Sequence, residues 1–341
     1  MKKVTIKEVA EAAGVSTMTV SRVLNDRPDV SAVTRKRVQE IIHEMSYRPS
    51  AVARSLIRGK SHTLGIAVFG LEHYGPSSTL VGVEKQAVEL GYSMLVSLMH
   101  DGVPGRETQQ QILENLLSRQ VDGIVWAIAE HEVNRDWLCQ RTRELSTPVA
   151  FLNMQPRPDT TMVAVNNYAG GRLATEHLLK QHYRRIGLIT GPLSWWEARQ
   201  RQAGWRDALQ ESGLSTEGLE VYGDWSAASG EAGMRRLLEQ SPDLEALFAS
   251  NDQMALGAFQ AARSAGRRIP QDLAVVGFDD IPEAAYFDPP LTTIRQDLRR
   301  MGTLAVQLVH RNMEARWREE GFEPEVLWVQ PELIVRQSSN S

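Results

Sequence analysis

The chain has one cysteine, Cys139, in 341 residues. No internal disulfide is available, which points to a reducing compartment. No apolar run approaches the roughly 18–20 residues that span a bilayer. The opening MKKVTIKEVAEAAG has two lysines but no apolar stretch behind them, so no secretory signal and no membrane partner are expected. The location read from this is cytoplasmic. Catalytic signatures are missing as well: no G-x-S-x-G elbow, no Walker loop, no G-x-G-x-x-G and no H-E-x-x-H. The eight histidines are scattered, and His73, His131 and His177 read as surface or satisfied side chains, not ligands. The expectation is no enzyme, no metal and no cofactor.

What is present is an ordinary soluble composition, 42% hydrophobic and 23% charged, in a chain long enough for two or more domains. The net charge of −4 hides an asymmetry. Residues 1–60 hold twelve lysines and arginines against six acidic residues, a surplus of six, so the remainder carries −10. A basic head on an acidic body fits a head that meets a polyanion and a body that avoids it.

The head reads as three short helices. Thr5-Ile6-Lys7-Glu8 is a capping box, and Val9, Ala10 and Ala13 make a small apolar face. Gly14 allows the left-handed turn that ends this helix. Ser16 caps a second helix with Val20, Val23 and Leu24 on one side and Thr17, Met18, Ser21 and Arg22 on the other. Ser31 caps a third, carrying Val38, Ile41, Ile42 and Met45. This is a helix-turn-helix module. In SYRPSAVARSLIRGKS, Pro49 ends what precedes it, and AVARSLI is a helix too short to be stable alone.

From residue 62 the texture changes. TLGIAVF, YSMLVSL, VDGIVWAI and PVAFLN alternate with helical patterns, and the alternation repeats through TMVAV, RIGLIT, ALFAS and LAVVGF. Such βαβ alternation implies parallel sheets covered by helices, in two halves with a ligand cleft at the strands' carboxyl ends.

The runs TIKEVAEAAGVSTMTVSRVLN, YRPSAVARSL, GPLSWWEARQRQAGW, GDWSAASG, NDQMALGA, VVGFDD and PPLTTIRQD, in this order, resemble the LacI/GalR family of bacterial repressors over nearly the whole chain. The resemblance implies an N-terminal all-α helix-turn-helix headpiece (1–46), a hinge helix and linker (47–61), and an α/β periplasmic-binding-protein-like core (62–341). That core would comprise two doubly wound parallel-sheet subdomains, about 62–161 plus 291–322 and about 162–290 plus 323–341. It implies a homodimer on a near-palindromic operator, released by a small sugar, with a galactoside favoured. Another sugar, or a purine corepressor with the opposite coupling, remains the alternative within the family. A stand-alone sugar-binding protein is the alternative outside it. The chain ends at Ser341 without the leucine-rich tail of a tetrameric family member, so a dimer is the expected assembly.

For DNA contact the resemblance points to Thr17, Met18 and Arg22 at the bases. Arg22 can donate two hydrogen bonds to guanine, worth roughly 1–3 kcal/mol of discrimination. Thr5, Ser16, Thr19, Ser21, Asn25 and Ser31 suit the duplex backbone, where contacts set register. In the hinge Leu56 would enter the minor groove as an apolar wedge, Arg54 would supply phosphate attraction, and Ala53 would also contact DNA. For the effector it points to Asn153, Glu197, Arg201, Trp225, Asn251, Asp279 and Gln296, planar polar groups beside an aromatic ring. Asp252 is expected as a helix cap and Arg199 as structural. Two of these effector positions depart from an inducible member of the family: Glu197 stands in place of a serine, and Asn153 in place of an aspartate.

Overall fold

The computed structural model describes residues 4–47, 59–99, 105–128, 135–321 and 323–340. Ala53, Arg54, Leu56 and His131 lie outside the described residues. The chain divides into two compact units, residues 1–61 and 62–341.

The first unit holds α1 (Ile6–Ala12), α2 (Thr17–Leu24) and α3 (Ala32–Glu44). Each begins at the cap read from the sequence. The Thr5 side chain accepts from the Glu8 N–H while the Glu8 carboxylate accepts from the Thr5 N–H at 2.7 Å. Ser16 accepts from Thr19 N–H at 3.1 Å, and Ser31 from Thr34 N–H at 3.2 Å. Val9, Ala10, Ala13, Val20, Val23 and Val38 close the core. Their small volumes let three short helices pack without large side chains.

The second unit has two six-stranded sheets. The elements run β1 (Thr63–Phe69), α4 (Tyr74–Glu89), β2 (Ser93–Met99), α5 (Arg106–Ser118), β3 (Gly123–Ala127), α6 (Arg135–Arg143), β4 (Val149–Leu152) and β5 (Met162–Val165). Then come α7 (Asn167–Lys180), β6 (Ile186–Thr190), α8 (Trp196–Glu211), β7 (Glu220–Tyr222), α9 (Ala227–Gln240), β8 (Ala246–Ala249), α10 (Asp252–Ser264) and β9 (Ala274–Asp279). The last are β10 (Thr292–Arg295), α11 (Leu298–Trp317), β11 (Val326–Val329) and β12 (Glu332–Ile334). The first sheet is ordered β11-β5-β4-β3-β1-β2 and is wholly parallel. The second is β12-β10-β9-β8-β6-β7, parallel except that β12 runs antiparallel to β10. The central strands are buried on both faces, as their continuous apolar runs require.

The border between the halves differs from the expected one at three strands. Met162–Val165 pairs with Val149–Leu152, so it belongs to the first lobe. Thr292–Arg295 pairs with Ala274–Asp279 in the second, and Val326–Val329 returns to the first beside Met162–Val165. The chain therefore crosses between lobes after Val165, after Arg295 and after Val329. Alternation of strand and helix is identical in both lobes, so it does not tell which sheet receives a strand at a crossing.

Helices on each lobe approach closely because glycine faces glycine. A Cβ on Gly82 would fall on the Arg299 carbonyl, and one on Gly302 on that of Thr79. Gly230 and Gly257 do the same between α9 and α10, facing Met254 and Ala227.

Candidate functional site

On the first unit Met18 is 63% exposed, and Thr17 and Arg22 are exposed beside it along α2. The Arg22 Nε lies 3.4 Å from the Asp29 carboxylate, so a base contact would compete with this surface pair. The Ser16 hydroxyl, already a cap, also meets the Thr19 hydroxyl at 3.0 Å. Asn25 donates to the Ser21 carbonyl at 2.7 Å, which makes it a C-terminal stop for α2. Thr5, Ser16 and Ser31 are thus engaged by their own helices, and their use on a duplex would be through what the caps leave over.

In the second unit a cavity of about 330 Å³ lies between the lobes, within the usual span of small-molecule sites. Asn153, Glu197, Arg201, Trp225, Asn251, Asp279 and Gln296 all line it. Asp279 ends β9 with a φ of 113°, a strained backbone for a non-glycine residue. Its Oδ1 accepts from Gln296 Nε2 at 2.6 Å and lies 3.7 Å from an Arg201 nitrogen. Arg201 is held on several sides at once. Its Nε donates to Asn167 Oδ1 at 2.8 Å, a second nitrogen donates to the Ser250 carbonyl, and its guanidinium lies 3.7 Å over the Phe278 ring. Burial pushes the Asp279 carboxyl up to about 6, against the pull of Arg201 and Gln296. The same burial lowers Arg201, opposed mainly by Asp279.

Asn251 is the N-cap of α10: its Oδ1 accepts from Met254 N–H at 2.8 Å and its Nδ2 donates to the Trp225 carbonyl at 2.9 Å. The cap expected at Asp252 therefore sits one residue earlier, because Asp252 is already helical. Its buried carboxyl accepts instead from Ile281 N–H at 2.9 Å and Thr293 Oγ1 at 2.6 Å, fixing the turn after Asp279. Burial raises the Asp252 carboxyl well above its usual range, and the charge of Asp279 adds to this. Arg199 donates to the Leu193 carbonyl at 2.7 Å and so holds the loop before α8.

The first lobe supplies a wall that sequence reasoning missed: Phe69, His73, Tyr74, Thr79, Leu298 and Met301. His73, expected as a surface or satisfied histidine, stands edge-on to Trp195 at 6.0 Å, and Trp195 in turn meets Trp225 at 5.9 Å and Phe69 at 5.6 Å. The signal was available: GLEHYG follows the carboxyl end of the first strand, where ligands of such sheets bind. Gln253 and Ser226 were likewise legible beside Asn251 and Trp225. His177 lies elsewhere, buried, with its Nε2 2.8 Å from Ser339 Oγ.

Among the described residues no helix is long and apolar enough to cross a membrane, and no cluster of His, Cys, Asp and Glu could hold a metal ion.

Residues 5–50 match the bacterial regulatory proteins of the lacI family, and residues 175–339 match a periplasmic binding protein-like domain. The ribose operon repressor of Escherichia coli (strain K12) is 39% identical over 311 residues, covering 90% of this chain and 92% of that one. The HTH-type transcriptional repressor PurR of Pasteurella multocida (strain Pm70) is 35% identical over 344 residues, covering 99% of each. A crystal structure of the lac repressor dimer bound to operator and the anti-inducer ONPF is 32% identical, with a TM-score of 0.92 and 100% of both chains covered. With relatives this similar along almost its whole length, the chain belongs to the lacI family of bacterial regulatory proteins.

Proposed function

We propose that this protein represses a carbohydrate-utilisation operon from the cytoplasm, as a homodimer on a near-palindromic operator, and that a small sugar in the cleft, a galactoside, releases it. The observation that carries the reading is the cavity itself. Carboxylate, guanidinium and amide groups converge there beside the rings of Trp195 and Trp225, a set that fixes hydroxyls while covering the apolar face of a pyranose. By linkage, a ligand that lowers operator affinity must itself be bound less well when operator is present, by the same factor. Gln296 sits in a segment crossing between the lobes and donates to Asp279, so a ligand held by Asp279 bears directly on the hinge between them.

The test is fluorescence anisotropy with DNA from upstream of the protein's own gene, at near-physiological salt, titrated with galactosides, ribose, other sugars and purines. Release by a sugar supports the reading, and release by ribose but not galactosides would correct its finer part. Tightening by a purine would replace it with corepression, the opposite coupling.

The pH dependence follows from Asp279. Sugar hydroxyls donate to its ionised form, so binding favours the deprotonated carboxyl. With that carboxyl at about 6, effector affinity is expected to fall ~10-fold between pH 7.5 and pH 5. Calorimetry at the two pH values checks this, and an unchanged affinity would remove Asp279 from the contact.

For the dimer the supporting feature is apolar exposure. Val81 and Val88 on α4 and Val96 and Leu98 on the edge strand β2 are all exposed. Apolar side chains left exposed on this edge of the first sheet suit contact with a second copy. Leu98→Asp is expected to give monomers in sedimentation velocity and to weaken operator binding at least ~100-fold, since two half-sites are no longer engaged together. A dimeric Leu98→Asp protein would place the interface elsewhere.

A further inference from the structure

Four of the described helices begin at the cavity: their N-caps His73, Trp195, Ser226 and Asn251 all line it. Each such end carries about half a positive charge and free N–H groups, a ready place for an anion. A cavity of this kind would be expected to take phosphorylated ligands. Here, however, the chain brings its own anions. Glu197 occupies the first turn of α8, and Asp279 is paired with Arg201.

Glu197 is the less satisfied of the two. It is 9% exposed, and its Oε2 is buried without a hydrogen-bond partner. Burial raises its carboxyl, while Arg201, Arg199 and a hydrogen bond with Asn153 oppose that shift. Asn153 is suited to this pairing. Its Oδ1 accepts from Val165 N–H at 3.2 Å, which leaves its amide nitrogen to donate. An aspartate at 153 would set a second carboxylate against Glu197 with nothing to donate.

We propose that Glu197, which lines the cavity together with Asn153, determines the chemical class of effector: it fills, as a built-in anion, the helix end that would otherwise take a phosphate. The cavity then accepts neutral polyols, one hydroxyl of which donates to the Glu197 carboxylate, and rejects their phosphate esters. This inference rests on the ligand-responsive reading above and adds the ligand's charge to it.

The test is calorimetry on the full-length protein with galactose, ribose and glucose, and with galactose 6-phosphate, ribose 5-phosphate and glucose 6-phosphate. The wild type is expected to bind at least one free sugar at least 10-fold more tightly than its phosphate ester. Glu197→Ser and the near-isosteric Glu197→Gln should each shrink that ratio at least 5-fold, with the ester gaining affinity. Asn153→Asp should weaken the free sugar, and Asn153→Asp combined with Glu197→Ser should recover part of that loss. Thermal melts identify any variant that has not folded, and Glu197→Gln, which keeps the shape, then decides. A free-sugar preference that survives both Glu197 substitutions, or a wild type that binds the ester within 10-fold of the sugar, overturns this inference and leaves the ligand-responsive reading standing. A wild type that binds none of the six overturns this inference, and one that in addition binds no galactoside overturns the ligand-responsive reading with it.

Discussion

Asp279→Asn is expected to leave operator binding intact and to weaken the effector at least ~100-fold. The carboxylate is the acceptor at the end of β9, with Gln296 Nε2 at 2.6 Å and Arg201 at 3.7 Å already on Oδ1. The residue lines the cavity, and its carboxylate is the proposed acceptor for the ligand's hydroxyls. An asparagine has one oxygen and one NH2 group. If the oxygen keeps Gln296 and Arg201, the NH2 meets the ligand's hydroxyls as a donor; if it turns, NH2 meets two donors. Either way about two charge-assisted hydrogen bonds to ligand are lost or reversed, each worth roughly 1.5–3 kcal/mol. A loss of about 3 kcal/mol corresponds to ~100-fold in affinity. Operator titrations of the variant, with and without the sugar that releases the wild type, measure it. A release midpoint within threefold of wild type would take Asp279 out of the site.

Gly257→Val is expected to cost about 3 kcal/mol of stability, the upper part of the range for overpacking. Its Cβ would fall on the Ala227 carbonyl oxygen and close to the Glu231 nitrogen. Both obstacles are backbone, so no side chain can swing aside, and α9 and α10 must separate along their whole contact. In a unit of this size each kcal/mol lowers the melting temperature by about 2–4 °C, which gives about 6–12 °C. The damage also reaches the cavity, since the N-caps of α10 and α9, Asn251 and Ser226, both line it. A melt within 2 °C of wild type would show that the crossing is looser than the backbone contacts indicate.

The local features were legible because they are local. Thr5, Ser16 and Ser31 stand where a cap must stand, and the Val/Ala face of α1 and α2 needs no distant partner to be recognised. The second-lobe side of the cavity was also readable, since Asn251 and Asp279 sit at strand ends where the architecture puts ligands. Their roles at a ligand are the proposals made above. The other wall was readable only in part, at Asn153 and in the GLEHYG loop after the first strand. Phe69, Leu298 and Met301 look like any core residue in sequence, and only tertiary packing turns them toward a cavity. The same holds for the crossings: nothing in MVAV or VLWV specifies which sheet's edge is free when the chain arrives. Asp252 shows the limit from the other side, since a residue type that suits a cap was drawn one position into the helix to hold Ile281 and Thr293.

The three crossings carry a consequence for the protein as it is being made. Neither lobe is a continuous stretch: the first is closed only when Leu298–Trp317 covers its sheet and Val326–Val329 pairs with Met162–Val165. The second is closed only when Glu332–Ile334 pairs with Thr292–Arg295. The helical unit at the front has its own core within residues 4–47 and needs nothing later in the chain. At ~5–20 residues per second, the ribosome takes on the order of tens of seconds to travel from one to the other. During that interval the nascent chain carries a folded helix-turn-helix and no finished cleft. A chain that stops short of residue 326 leaves the ribosome in that condition for good, with the edges of both sheets open.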